Sequence, residues 1–238
     1  MSDDDNPFDA PYGDGTSEYE RYLKTPALLG LQKPADRRSD PDELMFQVIH
    51  QVEELWMKLI LHELGEAVGC LSRADFATAA RAFERIDRLQ SLCVRQLELF
   101  GTMLPSAYLA IRKRLGQGSG MDSPGFNRIN EVAAHVWRAF EGACAGAGVE
   151  LLALYEDPAT HPGLLAVAEH LVSFDAQMQR FKLEHLATVR RIIGMGTASL
   201  RGNPAEMLER SAHLTYFPML WAVRDRLFLD FRAGPLDP

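Results

Sequence analysis

Apolar residues recur at steps of three and four along most of this chain, and no stretch alternates apolar and polar positions as a half-buried strand would. The pattern predicts, within "SEYERYLKTPALLGLQKP" (17–34), a short helix followed by an irregular stretch. A long helix opens at Asp40-Pro41, with acidic Asp42 and Glu43 behind the proline, and runs to about Gly69. A second long helix covers 72–103, and a short one starts at Pro105 and stops before the loop "GQGSGMDSPG". A helix from about Phe126 to Ala145 follows, then an ill-defined stretch, then a long helix from Leu164 to Ile193. After the loop "GMGTASLRGNP", a last helix is expected over 205–229. No repeat at solenoid spacing is present. The expected fold is all-α, a single-domain bundle of long helices over residues 19–238, preceded by a tail over 1–18.

Within this pattern some polar residues fall on apolar faces. In "FQVIHQVEELWMKLILHEL" (46–64), His50 lies roughly 40° from Phe46 on a helical wheel at about 100° per residue, whereas His62 points the opposite way, beside Lys58 and Gln51. His185 sits in the middle of a stripe formed by Leu171, Phe174, Met178, Phe181, Val189 and Ile192. Such a histidine is either a core imidazole bonded to a nearby carbonyl or a ligand for a metal or haem. Tyr108 and Arg112 share a helix face bordering the stripe Leu104, Tyr108, Ile111 and Leu115. Arg112 there is either half of an intrachain ion pair or a fork for a carboxylate.

Composition narrows the field. The chain has 238 residues, 47% of them hydrophobic, enough to bury a substantial core. Of the net charge of −8, six negative charges (Asp3, Asp4, Asp5, Asp9, Asp14, Glu18) fall in the first eighteen residues, with no Lys or Arg among them. The remainder carries only about −2, so it offers no electrostatic footprint for nucleic acid. No apolar run is long enough to span a bilayer, and the acidic start lacks the pattern of a signal peptide. A cytoplasmic location is expected. Cys70, Cys93 and Cys144 form neither CxxC nor CxxCH and read as free thiols.

Several chemistries fail on spacing. His62-Glu63 lacks the second histidine of a zinc-protease helix, because Glu66 occupies that position. No histidine has a glutamate three residues before it, as a carboxylate-bridged di-iron bundle requires. There is no GxSxG, phosphate-binding loop or dinucleotide fingerprint.

The remaining features resemble the tryptophan 2,3-dioxygenase family. "FQVIHQVEELWMKLILHEL" is similar to its signature helix, with Phe46, His50, Gln51, Glu54, Leu55, Trp56, Lys58 and Leu59 in place. "SEYERYLKTPALL" resembles its Tyr-x-x-Tyr-Leu segment through Tyr19, Tyr22 and Leu23, and "YLAIRKRLGQGSG" its Tyr-x-x-x-Arg helix and Ser-Gly loop. "FKLEHLATVRRIIG", "GMGTASLRG" and "LTYFPMLWAVRDRL" resemble the haem-ligand segment, the Gly-Thr loop and the Phe-Pro helix, in the family's order.

The resemblance implies roles. His185 would be the axial ligand of a non-covalent haem b, His50 would hydrogen-bond the indole nitrogen, and Phe46 would pack on the ring. Arg112 would pair with the amino-acid carboxylate beside Tyr108, and Thr197 would help hold the ammonium and carboxylate. Tyr22 and Leu23 would reach into a neighbouring subunit's pocket, which implies a homotetramer built as a dimer of dimers. With O2 as co-substrate, L-tryptophan would be cleaved to N-formylkynurenine.

The sequence also departs from the family. Its loop Gly-Thr-Gly-Gly-Ser-Ser-Gly becomes Gly196-Thr197-Ala198-Ser199-Leu200-Arg201-Gly202, and "SGMDSPGF" lacks the usual aromatic-glutamine continuation. A relative that inserts one oxygen atom into a tryptophan derivative, for example to give a 2-oxindole, is the alternative enzyme reading. A non-catalytic haem-binding bundle is a third, and it would need no Arg112.

Overall fold

The computed structural model describes residues 13–116, 118–194 and 206–233 of the chain. Among these there are helices and turns and no strand, as the apolar periodicity requires. Two short helices, α1 (Glu18–Leu23) and α2 (Thr25–Leu29), replace the single short helix expected. Lys24, at φ 58°, ends one and starts the other. Ser17 and Glu20 close a capping box at the start of α1.

The long α3 (Glu43–Ser72) packs against α4 (Phe76–Gln96) and α6 (Pro124–Gly146), while α4 packs against α8 (Pro162–Ile192). Asp75 caps α4 by accepting the Thr78 amide at 3.1 Å. Beyond Gln96 the chain tightens into a 3-10 turn over Leu97–Thr102, so the predicted second helix is shorter than expected. Then come α5 (Pro105–Arg112) and, between α6 and α8, α7 (Leu151–Glu156), which falls within the stretch left unassigned by pattern.

The predicted last helix is two, α9 (Glu206–Ala212) and α10 (Pro218–Ala233). Pro218 has no amide hydrogen to extend a helix running into it, but fits a first turn. The break is held by Asp175 on α8, which is fully buried and accepts the amides of Tyr216 (2.6 Å) and Phe217 (3.0 Å) and the indole N–H of Trp221 (3.0 Å).

Two apolar clusters fill the bundle. The larger joins Met57, Ile60 and Leu64 of α3 to Phe83 and Ile86 of α4, Phe140 of α6 and Leu164, Leu171, Phe174 and Met178 of α8. The smaller joins Ile49, Leu97, Phe100, Met103, Ala107, Ile111 and Ile192 at one end of the bundle. On α5 the buried positions are Ala107 and Ile111, whereas Leu104, placed in the apolar stripe by spacing, is 67% exposed. It precedes the helix and does not follow its face. No described helix is long and apolar enough to cross a membrane.

Candidate functional site

The smaller cluster gathers most of the residues singled out by sequence. His50 projects from the second turn of α3, and its Nδ1 lies 2.7 Å from the Phe46 carbonyl oxygen. In the neutral ring Nδ1–H donates to that carbonyl, which leaves Nε2 as an acceptor. Burial lowers the His50 pKa, partly opposed by the Phe46 bond and by the charge of Glu54. The ring is 4.3 Å from Phe46 and 5.5 Å, edge-on, from Phe100. Phe46 lies 6.2 Å from Tyr108 on α5. Burial raises the Tyr108 pKa while the charge of Arg112, four residues on along α5, lowers it. The rings of His50, Phe46 and Tyr108 thus follow one another, and Arg112 is four residues beyond Tyr108 on the same short helix.

His185 approaches from the last third of α8. Burial pushes its pKa down to about 4, and the nearby His50 ring adds to this. Phe181, one turn earlier, stacks parallel at 6.3 Å, and Phe126 of α6 lies 6.2 Å beyond. Gly120 is near the ring: a Cβ there would come within 3.9 Å of Nε2. His185 is therefore a neutral imidazole stacked on Phe181, with Phe126 beyond and Gly120 nearby.

The turn holding Gly120 is fixed internally. Ser119 and Asp122 form a capping box across it, and Ser123 caps α6 by accepting the Phe126 amide at 3.1 Å. Glu54, one turn beyond His50 on α3, accepts from the Ser123 hydroxyl at 2.5 Å and from the Gly125 amide at 2.9 Å. Its neighbour Glu53 differs. Burial raises the Glu53 pKa to about 7, with the charge of Glu54 adding to it and Gln96 opposing it, and Glu53 Oε1 has no hydrogen-bond partner among the described residues.

Tyr22 and Leu23 lie outside this group, on α1, 86% and 44% exposed. Thr197 and the loop around it lie outside the described residues. Sequence reading missed Phe100 against His50, Gly120 against His185, and the separate environments of Glu53 and Glu54. The helical register carried a signal for the two acids, because positions three and four after His50 share its face. Phe100 and Gly120 come from other elements, so no local pattern reported them.

The sequence profile of the tryptophan 2,3-dioxygenase family matches residues 8–136. The chain is similar to proteins named tryptophan 2,3-dioxygenase. It is 30% identical to one from Bacillus thuringiensis (strain Al Hakam), over 88% of this chain and 92% of the relative. It is 28% identical to one from Geobacillus thermodenitrificans (strain NG80-2), with the same coverage. To one from Arthrobacter sp. (strain FB24) it is 27% identical, over 88% of this chain and 91% of the relative.

Proposed function

Because the chain belongs to the tryptophan 2,3-dioxygenase family, we propose that it is a haem-dependent enzyme that inserts both atoms of O2 into the indole ring of L-tryptophan, opening the C2–C3 bond to give N-formylkynurenine. The observation that carries this reading is the run His50–Phe46–Tyr108–Arg112 beside a neutral His185. It offers an acceptor for an N–H, aromatic faces for a ring and a cation for a carboxylate, in the order a tryptophan presents them.

The residues fit a haem. His185 is held neutral, as an iron ligand must be, Phe181 stacks on its ring, and the residue close to its Nε2 is a glycine, Gly120. His185 would hold the iron of haem b, and bound ferrous haem supplies the binding and activation of O2.

The chain's own residues do the rest. His50, with Nδ1–H engaged by the Phe46 carbonyl, accepts the indole N–H at Nε2 and fixes the ring's orientation without having to remove the proton. Phe46 and Phe100 pack on the ring and exclude water. Arg112 pairs with the substrate carboxylate, Tyr108 lines the path between, and Thr197 helps hold the amino-acid head. Tyr22 and Leu23, exposed in the single chain, complete a neighbouring pocket in a homotetramer, and the enzyme works in the cytoplasm.

A second reading rests on one sequence observation. Ala198-Ser199-Leu200-Arg201 stands where the family has glycines and serines, which favours a relative that inserts a single oxygen atom into a tryptophan derivative. The test is haem titration followed by turnover of L-tryptophan in air. Stoichiometric haem uptake with release of N-formylkynurenine supports the proposal. Haem uptake with only an unopened, oxygenated indole product supports the second reading.

A further inference from the structure

On α3, Phe46 and His50 belong to the pocket, and Gln51 stands about 100° round the helix from His50. Its carboxamide is turned to the N-terminal segment. Gln51 Oε1 accepts from Gln32 Nε2 at 2.6 Å, and the same Nε2 donates to the Leu28 carbonyl at 3.2 Å. That carbonyl lies in the last turn of α2, where helical carbonyls run short of partners. One carboxamide thus bridges α3 to the end of α2.

Two more side chains of α3 hold the root of this segment. Gln47, one turn before Gln51, accepts the Lys33 amide at 2.9 Å. Glu43, one turn earlier again and buried, takes the Lys33 ammonium on Oε1, and the amide (2.6 Å) and hydroxyl (2.8 Å) of Ser39 on Oε2. Arg38 Nε donates to the Lys33 carbonyl at 2.9 Å. Glu43, Gln47 and Gln51 are spaced by four, so they line one face of α3. They fasten residues 32–39 alongside the turns that carry Phe46 and His50.

The orientation is passed on to Tyr22 and Leu23. The Leu28 amide donates to the Lys24 carbonyl at 3.0 Å and the Lys24 amide to the Glu20 carbonyl, so α1 and α2 meet at a single residue. Helices of six and five residues are too short to hold a direction alone, and neither buries a residue within the described chain. Their attachment to α3 is what aims them.

We propose that Gln32 and Gln51 are positioning residues: their bridge, backed by Gln47 and Glu43, aims the α1–α2 arm from the flank of the pocket helix, so that Tyr22 and Leu23 are presented to a second copy of the chain. The use of the bridge rests on the reading that Tyr22 and Leu23 complete a neighbouring pocket; its geometry does not. Gln47 and Gln51 directly follow Phe46 and His50 in the chain. Each subunit therefore builds its own ring wall and aims its arm from the same two turns.

The test takes the assembled, haem-loaded full chain and reads KM for L-tryptophan together with hydrogen exchange over residues 18–33, with α4 as internal reference. Gln51→Met removes the acceptor. It should raise KM and speed exchange over 18–33 by roughly 3- to 10-fold each, with kcat, haem content and α4 exchange near wild type. Gln51→Glu keeps an acceptor oxygen for Gln32 and should stay near wild type in both readouts. Added to Tyr22→Ala with Leu23→Ala, Gln51→Met should raise KM no further, because the arm it aims has lost its contacts. A full additional rise there would overturn the proposal, since Gln51 would then act through its neighbour His50. Wild-type exchange over 18–33 in Gln51→Met would overturn it too, as would a wild-type KM in a chain whose Tyr22→Ala, Leu23→Ala form has a raised one. If Gln51→Met does not fold, Gln32→Met breaks the same bridge from the arm and is read in the same way. A wild-type KM in the Tyr22→Ala, Leu23→Ala protein would remove the neighbouring-pocket reading instead, and exchange over 18–33 would then decide the bridge by itself.

Discussion

His50 on α3 and His185 on α8 are close enough that the first disfavours protonation of the second, and burial keeps both imidazoles neutral. Each is directed by its own helix. The i−4 carbonyl of Phe46 takes the His50 Nδ1–H, and Phe181 stacks on the His185 ring from one turn away. The pair faces an apolar cluster that a charged imidazole would have to desolvate to enter. The different duties proposed for the two rings follow from this shared neutrality and from what each nitrogen is left free to do.

His185→Ala should abolish haem retention while far-UV circular dichroism stays at the wild-type level. The side chain is one of many on a 31-residue helix whose burial comes from Leu171, Phe174, Met178 and Leu186. An unchanged Soret band at full occupancy would contradict the assignment.

Arg112→Ala should weaken substrate binding far more than turnover. A charge-assisted bond contributes about 1.5–3 kcal/mol, so KM should rise roughly 10- to 100-fold with kcat within a few-fold of wild type. Steady-state kinetics decide it, and an unchanged KM would remove the carboxylate clamp.

Glu53 makes stability depend on pH with a sign opposite to the usual carboxylate. Its folded pKa is about 7 against an ordinary 4.5, because burial and the charge of Glu54 favour the neutral acid. Below pH 4.5 both folded and unfolded chains hold the proton and nothing is lost. Between 4.5 and 7 the unfolded chain releases it first, so stability falls as pH rises, and above 7 the full cost, on the order of 3 kcal/mol at most, is present. Glu53→Gln should therefore gain on wild type in urea midpoint between pH 5 and pH 8. Parallel midpoints across that range would show that Glu53 ionises freely in the fold.

Glu43 acts the other way. Burial opposes its charge, but hydrogen bonds from Lys33 and from the amide (2.6 Å) and hydroxyl (2.8 Å) of Ser39 outweigh it and hold the carboxyl down to about 2. Its contribution is complete above about pH 4.5 and is lost as pH falls towards 2. Acid titration of Glu43→Gln should show a shallower loss of stability over that window, and an identical acid limb would contradict it.

Asp175→Ala should be the costliest single change on α8. It leaves the Tyr216 and Phe217 amides and the Trp221 N–H without their acceptor in a buried site, at about 1–3 kcal/mol for each group left unpaired. Asp175→Asn keeps an acceptor and should recover part of the loss. Chemical denaturation reads both, and a change under about 1 kcal/mol for alanine would show that the α8–α10 junction holds by packing alone.

The long helices were legible because their apolar stripes are long enough to dominate local preference. His50 and His185 stood out because a polar ring on such a stripe needs a reason. The split between α9 and α10 was not legible, although Pro218 marked it, because the acceptor that stabilises the break is Asp175, more than forty residues away. Leu104 misled because it precedes Pro105 and so lies outside the helical register that buries Ala107 and Ile111. In the site, the family resemblance supplied roles for Phe46, His50, Tyr108 and Arg112, and the structure brings the rings of the first three together. The Glu54–Ser123–Gly125 contact crosses about seventy residues of sequence, and no spacing rule connects such positions.

The most direct measurement is isotopic. Haem-loaded protein is reduced without oxygen, mixed with L-tryptophan and exposed to ¹⁸O₂, and the product is weighed by mass spectrometry. The account predicts N-formylkynurenine carrying two heavy oxygen atoms. A product with a single heavy atom and an unopened ring, or unreacted tryptophan from protein with haem bound through His185, would contradict it.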